Sequence, residues 1–327
     1  MKVFWVATLF LFTFISCHKK KQPVENNREA VAFPEATKQT AIIYRSSDGG
    51  KNWTPFDNGI PRDATVSLFL VLGDKILTTT DYHGIYSIDQ GEKQWKRIDQ
   101  NLPKDADLNA IAKSGNTLVI ATLKHGILIS SDEGATWVSA VTKINSSVRA
   151  LHANAGFLLA GADDGIYKST DKGSTWKKVF NGPQVNGFAQ RNKSIYAGLS
   201  NGAIHSNDDG GTWKYIYQPH AMHDIAADNN AVYVMTLGDG LKKSENEGLT
   251  WEVINSGLGT LNLYTFELKA FANKIFVAQW YGIYSSSNSG ASWNKISNGL
   301  PDSTAFSTLE VTKDGLIAGV GLRKKND

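Results

Sequence analysis

One eight-residue phrase returns throughout this chain: SSDGGKNW at 46–53, SSDEGATW at 130–137, STDKGSTW at 169–176, SNDDGGTW at 206–213, SENEGLTW at 244–251 and SSNSGASW at 286–293. A seventh, shifted copy, SIDQGEKQW at 87–95, has Asp89 and Gly91 one residue early relative to Trp95. The tryptophans are Trp53, Trp95, Trp137, Trp176, Trp213, Trp251 and Trp293, spaced 37 to 42 residues apart. A unit of that length cannot bury its own apolar face and must stack on its neighbours, so the chain is committed to a repeat architecture.

Each phrase sits between two short strand-like runs, as in Gly165-Ile166-Tyr167-Lys168-Ser169 before one copy and Trp176-Lys177-Lys178-Val179-Phe180 at its end. The Ser-x-Asp-x-Gly between them is hairpin chemistry. The carboxylate accepts bonds from backbone N–H groups of its own turn, and the glycine supplies a positive φ. Asp48, Asp132, Asp171, Asp208, Asn246 and Asn288 are therefore read as structural turn residues. One carboxylate per turn is too few for a calcium ion that needs six to eight oxygens. Upstream of each hairpin lie two more strand-like stretches, for example 148–165, and no segment carries a helical period. The expectation is an all-β, seven-bladed β-propeller of four-stranded blades, with strands lettered A to D in chain order.

The ends fix the closure. The domain begins with a lone C–D hairpin (Ala41 to Phe56) and finishes with a lone A–B pair (about Ala305 to Gly319), so the two together should make one composite blade.

The recurring phrase resembles the Asp-box (BNR) repeat, found in sialidases, sortilin-type receptors, xyloglucan-active glycoside hydrolases and photosystem II stability/assembly-factor-like proteins. The resemblance covers nearly all of residues 41–320. It implies the scaffold and leaves the activity open, because such propellers host unrelated functions.

The N-terminus reads as an export and anchoring signal. Lys2 precedes a 13-residue apolar run, Val3 to Ile15, too short to span a bilayer. Ser16-Cys17, holding the only cysteine, resembles the lipobox of bacterial lipoproteins, although Phe14 replaces the usual leucine. The expected organisation is residues 1–16 as signal peptide, 17–40 as a lipidated Cys17 with a flexible tether, and 41–327 as the propeller. That places the protein on a bacterial envelope membrane, the outer membrane foremost. From position 41 onward basic and acidic side chains are equal in number. A neutral body has no general attraction for polyphosphate, so no nucleic-acid partner is expected.

Catalytic constellations are sparse. A sialidase needs three convergent arginines, yet only Arg149 begins an innermost strand, and no Phe/Tyr-Arg-Ile-Pro motif is present. A carboxylate-pair glycosidase needs two facing Asp/Glu, for which Asp163, Asp164, Asp224 and Asp239 come nearest. Gly198-Leu199-Ser200-Asn201-Gly202 spells G-x-S-x-G, but it lies between two strand-like stretches, whereas a nucleophile elbow leads from a strand into a helix, so Ser200 is not read as a nucleophile. His83, His125 and His223 with Asp163 or Asp239 come from separate blades, so neither a metal nor a cofactor is expected.

Topology points instead to the B–C loop tips, which face away from the repeated turns and differ from blade to blade. They hold the candidate ligand-binding residues Tyr82, His83, Lys124, His125, Asp163, Asp164, Asn201, Asp239, Trp280 and Tyr281. Trp280 is the non-repeat tryptophan of the folded body, and with Tyr281 it makes the one tip with two adjacent aromatics. The function expected is a non-catalytic binding or assembly module for a glycan, peptide or envelope protein. The alternative is a glycan-active hydrolase with carboxylates at the channel mouth.

Overall fold

The computed structural model describes residues 41–322 except Tyr82, Lys143, 259–264, Tyr281 and Ser303. The expectations for the signal peptide, Cys17 and the tether, and those for Tyr82 and Tyr281, lie outside the described residues.

The described residues form seven four-stranded antiparallel sheets, the blades of a β-propeller. Blade IV is representative: A is Val148–Asn154, B is Phe157–Ala162, C is Gly165–Ser169 and D is Lys177–Asn181, hydrogen-bonded in that order. The seven A strands line the centre: Val66–Leu72, Leu108–Ser114, Val148–Asn154, Val185–Arg191, Met222–Ala227, Thr265–Phe271 and Ala305–Thr312. The first of these belongs to blade II and the last to blade I, the composite. At the periphery the D strands are short and exposed, as in Lys96–Arg97 and Val138–Ser139, which leaves little free edge for pairing with another chain.

Each sheet packs a neighbour on both faces, so strand B loses the in–out alternation of a half-exposed strand. Phe157–Ala162 and Ser194–Leu199 are buried at every position. The apolar clusters accordingly straddle blade boundaries: Val119 and Ile127 of blade III pack with Val148, Leu158, Tyr167 and Trp176 of blade IV.

The repeated turn has one geometry in six blades. In blade IV, Ser169 Oγ donates to Asp171 Oδ1 (2.8 Å) and accepts from Gly173 N (2.9 Å), while Asp171 accepts from Thr175 N (2.9 Å) and Thr175 Oγ1 (2.5 Å). The residue after the acid and the glycine following it both take positive φ, 59° at Lys172 and 92° at Gly173. Asn246 and Asn288 keep the pattern with an amide, donating to Thr250 Oγ1 and Ser292 Oγ. Backbone and side-chain bonds from Asn52, Thr136 and Thr212 hold the carboxyls of Asp48, Asp132 and Asp208 down at about 2.

Closure follows the two-plus-two scheme. Ile43–Ser46, strand C of blade I, pairs with Gly315–Leu322, strand B, in the register Tyr44 to Ala318 and Arg45 to Ile317. Tyr44 is buried edge-on against Phe306, ring centroids 6.0 Å apart.

A feature absent from the sequence reading recurs on every A strand. The second residue is a β-bulge in blades II to VII: Ser67, Asn109, Arg149, Asn186, His223 and Phe266. Ser307 bulges in the composite blade. A bulge leaves its residue out of the ladder and re-aims the side chain. Three of them join blade to blade: Asn109 donates to Val148 O (3.0 Å), Asn186 to Met222 O (2.6 Å) and Ser307 to Val66 O (2.9 Å).

Candidate functional site at the channel mouth

The backbone holds the B–C tips beside the beginnings of the A strands. The first tip residue donates its N–H to the carbonyl of the residue preceding strand A in five blades: Asp81 to Thr65, Leu123 to Asp107, Asp163 to Ser147, Ser200 to Gln184 and Leu237 to Ala221, at 2.9 to 3.1 Å. Buried threonines at the end of strand B tighten three of these turns, Thr80 onto Gly84 O, Thr122 onto Gly126 O and Thr236 onto Gly240 O. The tips and the bulges therefore occupy the same end of the channel, opposite the repeated turns.

The charged tip residues are held by partners from their own blade or the loop entering it. His83 lies 3.5 Å from Asp63, and Asp105 takes His125 at 3.0 Å and Lys124 at 3.8 Å. The hydrogen bond from His125 holds the Asp105 carboxyl below its usual range. Asp163 pairs with Arg149, the bulge residue beneath it. Asp239 takes Lys242 at 3.2 Å and His220 at 3.4 Å. Asp164 is turned toward its own blade, accepting from Ser146, Tyr167 (2.9 Å) and Lys178 (2.5 Å). Burial works against its charge, but these donors outweigh burial and lower its pKa. Asn201 takes a long contact from Tyr215 at 3.5 Å.

The aromatic tip is built differently. Trp280 is half-buried and stands edge-on to the bulge residue Phe266, centroids 5.5 Å apart. Leu123 and Leu237 are exposed on the tips of blades III and VI.

Below the mouth, a cavity of about 520 Å³ is lined by all seven A strands. Arg149 is the one arginine among its described lining residues, so no arginine triad forms there. The cavity wall carries a charge cluster that the sequence reading did not assemble. Lys269 lies 2.8 Å from Glu267 and 2.9 Å from Glu310, and Asp224 accepts from Ile225 N and Leu268 N, both at 2.7 Å. Burial pushes Glu267 up to about 8 against the pull of Lys269, and it raises Asp224. Lys269 stays a firm cation, because Glu267 and Glu310 outweigh the burial that opposes its charge. Three acidic groups share one lysine, and the site relieves the excess by keeping a proton. Among the described residues no group of three His, Cys, Asp or Glu is arranged to hold a metal ion.

A family model described as the DUF6242 beta propeller domain matches residues 61–179, less than half of the chain. No curated protein matches the sequence. Solved structures share the fold. One, described as YCF48 bound to D1 peptide, is 14% identical with a TM-score of 0.66 and covers 81% of this chain and 96% of that one. YCF48 from Cyanidioschyzon merolae is 12% identical, TM-score 0.62, over 80% and 97%. An ancestral GH74 enzyme is 16% identical, TM-score 0.64, over 83% of this chain and 43% of the enzyme. At these identities the likeness is one of fold. The chain is a seven-bladed β-propeller, and its fold is shared by a protein solved with a bound peptide and by a GH74 enzyme.

Proposed function

We propose that the channel mouth is a non-catalytic binding site for an extended peptide segment of a protein partner. The observation that carries this reading is the state of the mouth carboxylates: Asp163, Asp164 and Asp239 are each held by a cation, while the Phe266–Trp280 pair and Leu123 and Leu237 keep apolar surface at the same rim. An aromatic edge with paired charges around it suits recognition by stacking and hydrogen bonding. The peptide bound to a propeller of this fold in one similar structure supports the ligand class.

A hydrolase reading has one observation in its favour. Glu267 is held protonated near neutral pH beside Glu310, as a general acid requires. Against it, Lys269 stands within 2.9 Å of both carboxylates and pairs with each, so the two do not face a substrate as a free acid and base. Selection of a random peptide display library on the purified domain, beside a glycan array and a chromogenic glycoside panel, separates the readings. Enriched peptides without turnover support binding; turnover abolished by Glu267→Gln would overturn it.

The anchoring proposal is separate: Cys17 is acylated and tethers the propeller to a bacterial envelope membrane. Cys17→Ser should release the protein from the membrane fraction. Quantitative retention after a high-salt wash would defeat this proposal.

A further inference from the structure

In six blades the glycine of the repeated turn closes the seam to the preceding blade. A Cβ on Gly50, Gly134, Gly248 or Gly290 would run into the isoleucine three residues after the preceding blade's tryptophan (Ile296, Ile98, Ile216 and Ile254). Gly173 and Gly210 sit as tightly on Val119 and Leu159. The seam between blades I and II is different. Blade I carries Phe56 at the position those four isoleucines occupy, and the shifted turn of blade II stops short of it, with open space to 4 Å around Gly91.

The uncovered seam is a cleft of about 630 Å³, within the size range of small-molecule sites. Ile76, Ile88, Leu316, Ile317 and Phe56 supply its apolar lining. Of the carboxylates around it, Asp74 pairs with Lys313, Asp314 with the Gln90 amide, Glu92 with Lys96 and Asp48 with the amides of its own turn, while Asp89 feels Lys75, whose own hydrogen bond goes to Glu133. Arg45 is the cation left over. Its guanidinium lies over the Phe56 ring, 4.4 Å from the centroid, and no ion-pair partner faces it among the described residues. Arg45 and Phe56 also wall an adjoining hollow of about 440 Å³ to which Arg62 and Lys93 contribute. The carboxylate of that hollow, Asp57, is turned to Ile42 N at 2.8 Å.

An apolar cleft thus meets a stacked, unpaired guanidinium with two further exposed cations behind it. We propose that the seam between blades I and II binds an amphipathic organic anion, with its apolar body against Ile76, Ile88 and Ile317 and its carboxylate or sulfonate head on Arg45. A guanidinium is weakly hydrated and presents a planar fork to such a head, so pairing with it is favourable even at a partly exposed site. This site is independent of the channel mouth. It bridges the first and last parts of the domain, so occupancy also raises the melting temperature by mass action.

The probe is 8-anilinonaphthalene-1-sulfonate, whose fluorescence reports transfer to an apolar site, titrated into the folded domain with decanoate and decylammonium as competitors. The expected result is one saturable site, displaced by decanoate and not by decylammonium. Arg45→Gln should weaken binding by on the order of tenfold or more. Thr54→Trp, which sets an indole over the cleft from an exposed lining position, should abolish it, and Trp280→Ala should leave it unchanged. Melting curves verify that each variant is folded. Should Arg45→Gln unfold, Arg45→Lys, which keeps the charge and loses the planar fork, reads the same head contact as a severalfold loss. No saturable site, equal displacement by the ammonium, or undiminished affinity in both the charge and the filling variants overturns the proposal.

Discussion

The indole Nε1 of Trp53 donates to the carbonyl of Ile296, 2.6 Å away across the seam between blades I and VII and 243 residues along the chain. Trp293 reaches Ile254 O in the same way at 2.7 Å, and Trp95 reaches Phe56 O at 2.6 Å. In these blades the repeat tryptophan is therefore a clasp as well as a buried face, whereas Trp137, Trp176 and Trp213 bond the glycine carbonyl of their own turn; at the ring closure Trp53 joins the beginning of the domain to its end.

Closure depends on the C-terminal pair. Deleting 305–327 strips strands A and B from the composite blade and exposes strand edges on both sides of the gap. Loss of cooperative unfolding, with aggregation, is the expected outcome in thermal melts followed by light scattering. An unchanged midpoint would refute the composite blade as a stabilising element.

The turns offer an internal control. Asp171 accepts from Ser169, from Thr175 N and from Thr175 Oγ1, so Asp171→Ala should cost about 1 to 2 kcal/mol. Asp89, in the shifted turn, lacks that set and Gly91 beside it meets open space, so Asp89→Ala should cost less. Chemical denaturation of the two variants compares them directly, and equal losses would contradict the turn-geometry account.

The channel cluster predicts a pH dependence opposite in sign to that of the turn carboxylates. Glu267 binds its proton up to about 8 in the folded protein, against an ordinary value of 4.5 when unfolded. Between those values the folded state holds a proton that the unfolded state has lost, so stability falls as pH rises through this window. Glu267→Gln should flatten the stability profile between pH 5 and 8. A profile whose slope is unaltered by Glu267→Gln would show that the proton resides elsewhere.

Architecture was legible because the repeat is literal: a phrase seen seven times announces blades, and the lone hairpin and lone pair at the ends announce how the ring closes. The loop tips were legible from topology, since strand order alone assigns the B–C and C–D turns to opposite ends. The bulges were not. They depend on register between A and B strands, and Ser67, Asn109, Arg149 and Phe266 share no residue type. The cluster of Asp224, Glu267, Lys269 and Glu310 comes from three strands and is invisible until the ring is closed. One missed signal was available in the sequence. Asp57, Asp99, Asn255 and Ser297 all stand four residues after a repeat tryptophan, and each accepts an N–H at the start of a strand C, from Ile42 just before it in blade I and from Ile85, Leu241 and Ile283 within it in the others.

The central claim, that the mouth binds by its aromatic rim, is tested most directly on one variant. For a peptide enriched on the wild-type domain, affinity and melting are measured on the same Trp280→Ala sample. Trp280 meets Phe266 edge-on and is half-buried, so its removal should lower stability by less than the roughly 3 to 5 kcal/mol that a core tryptophan costs. Binding should weaken by roughly 2 kcal/mol, about thirtyfold. A strongly destabilised protein that keeps full affinity per folded molecule would contradict the account.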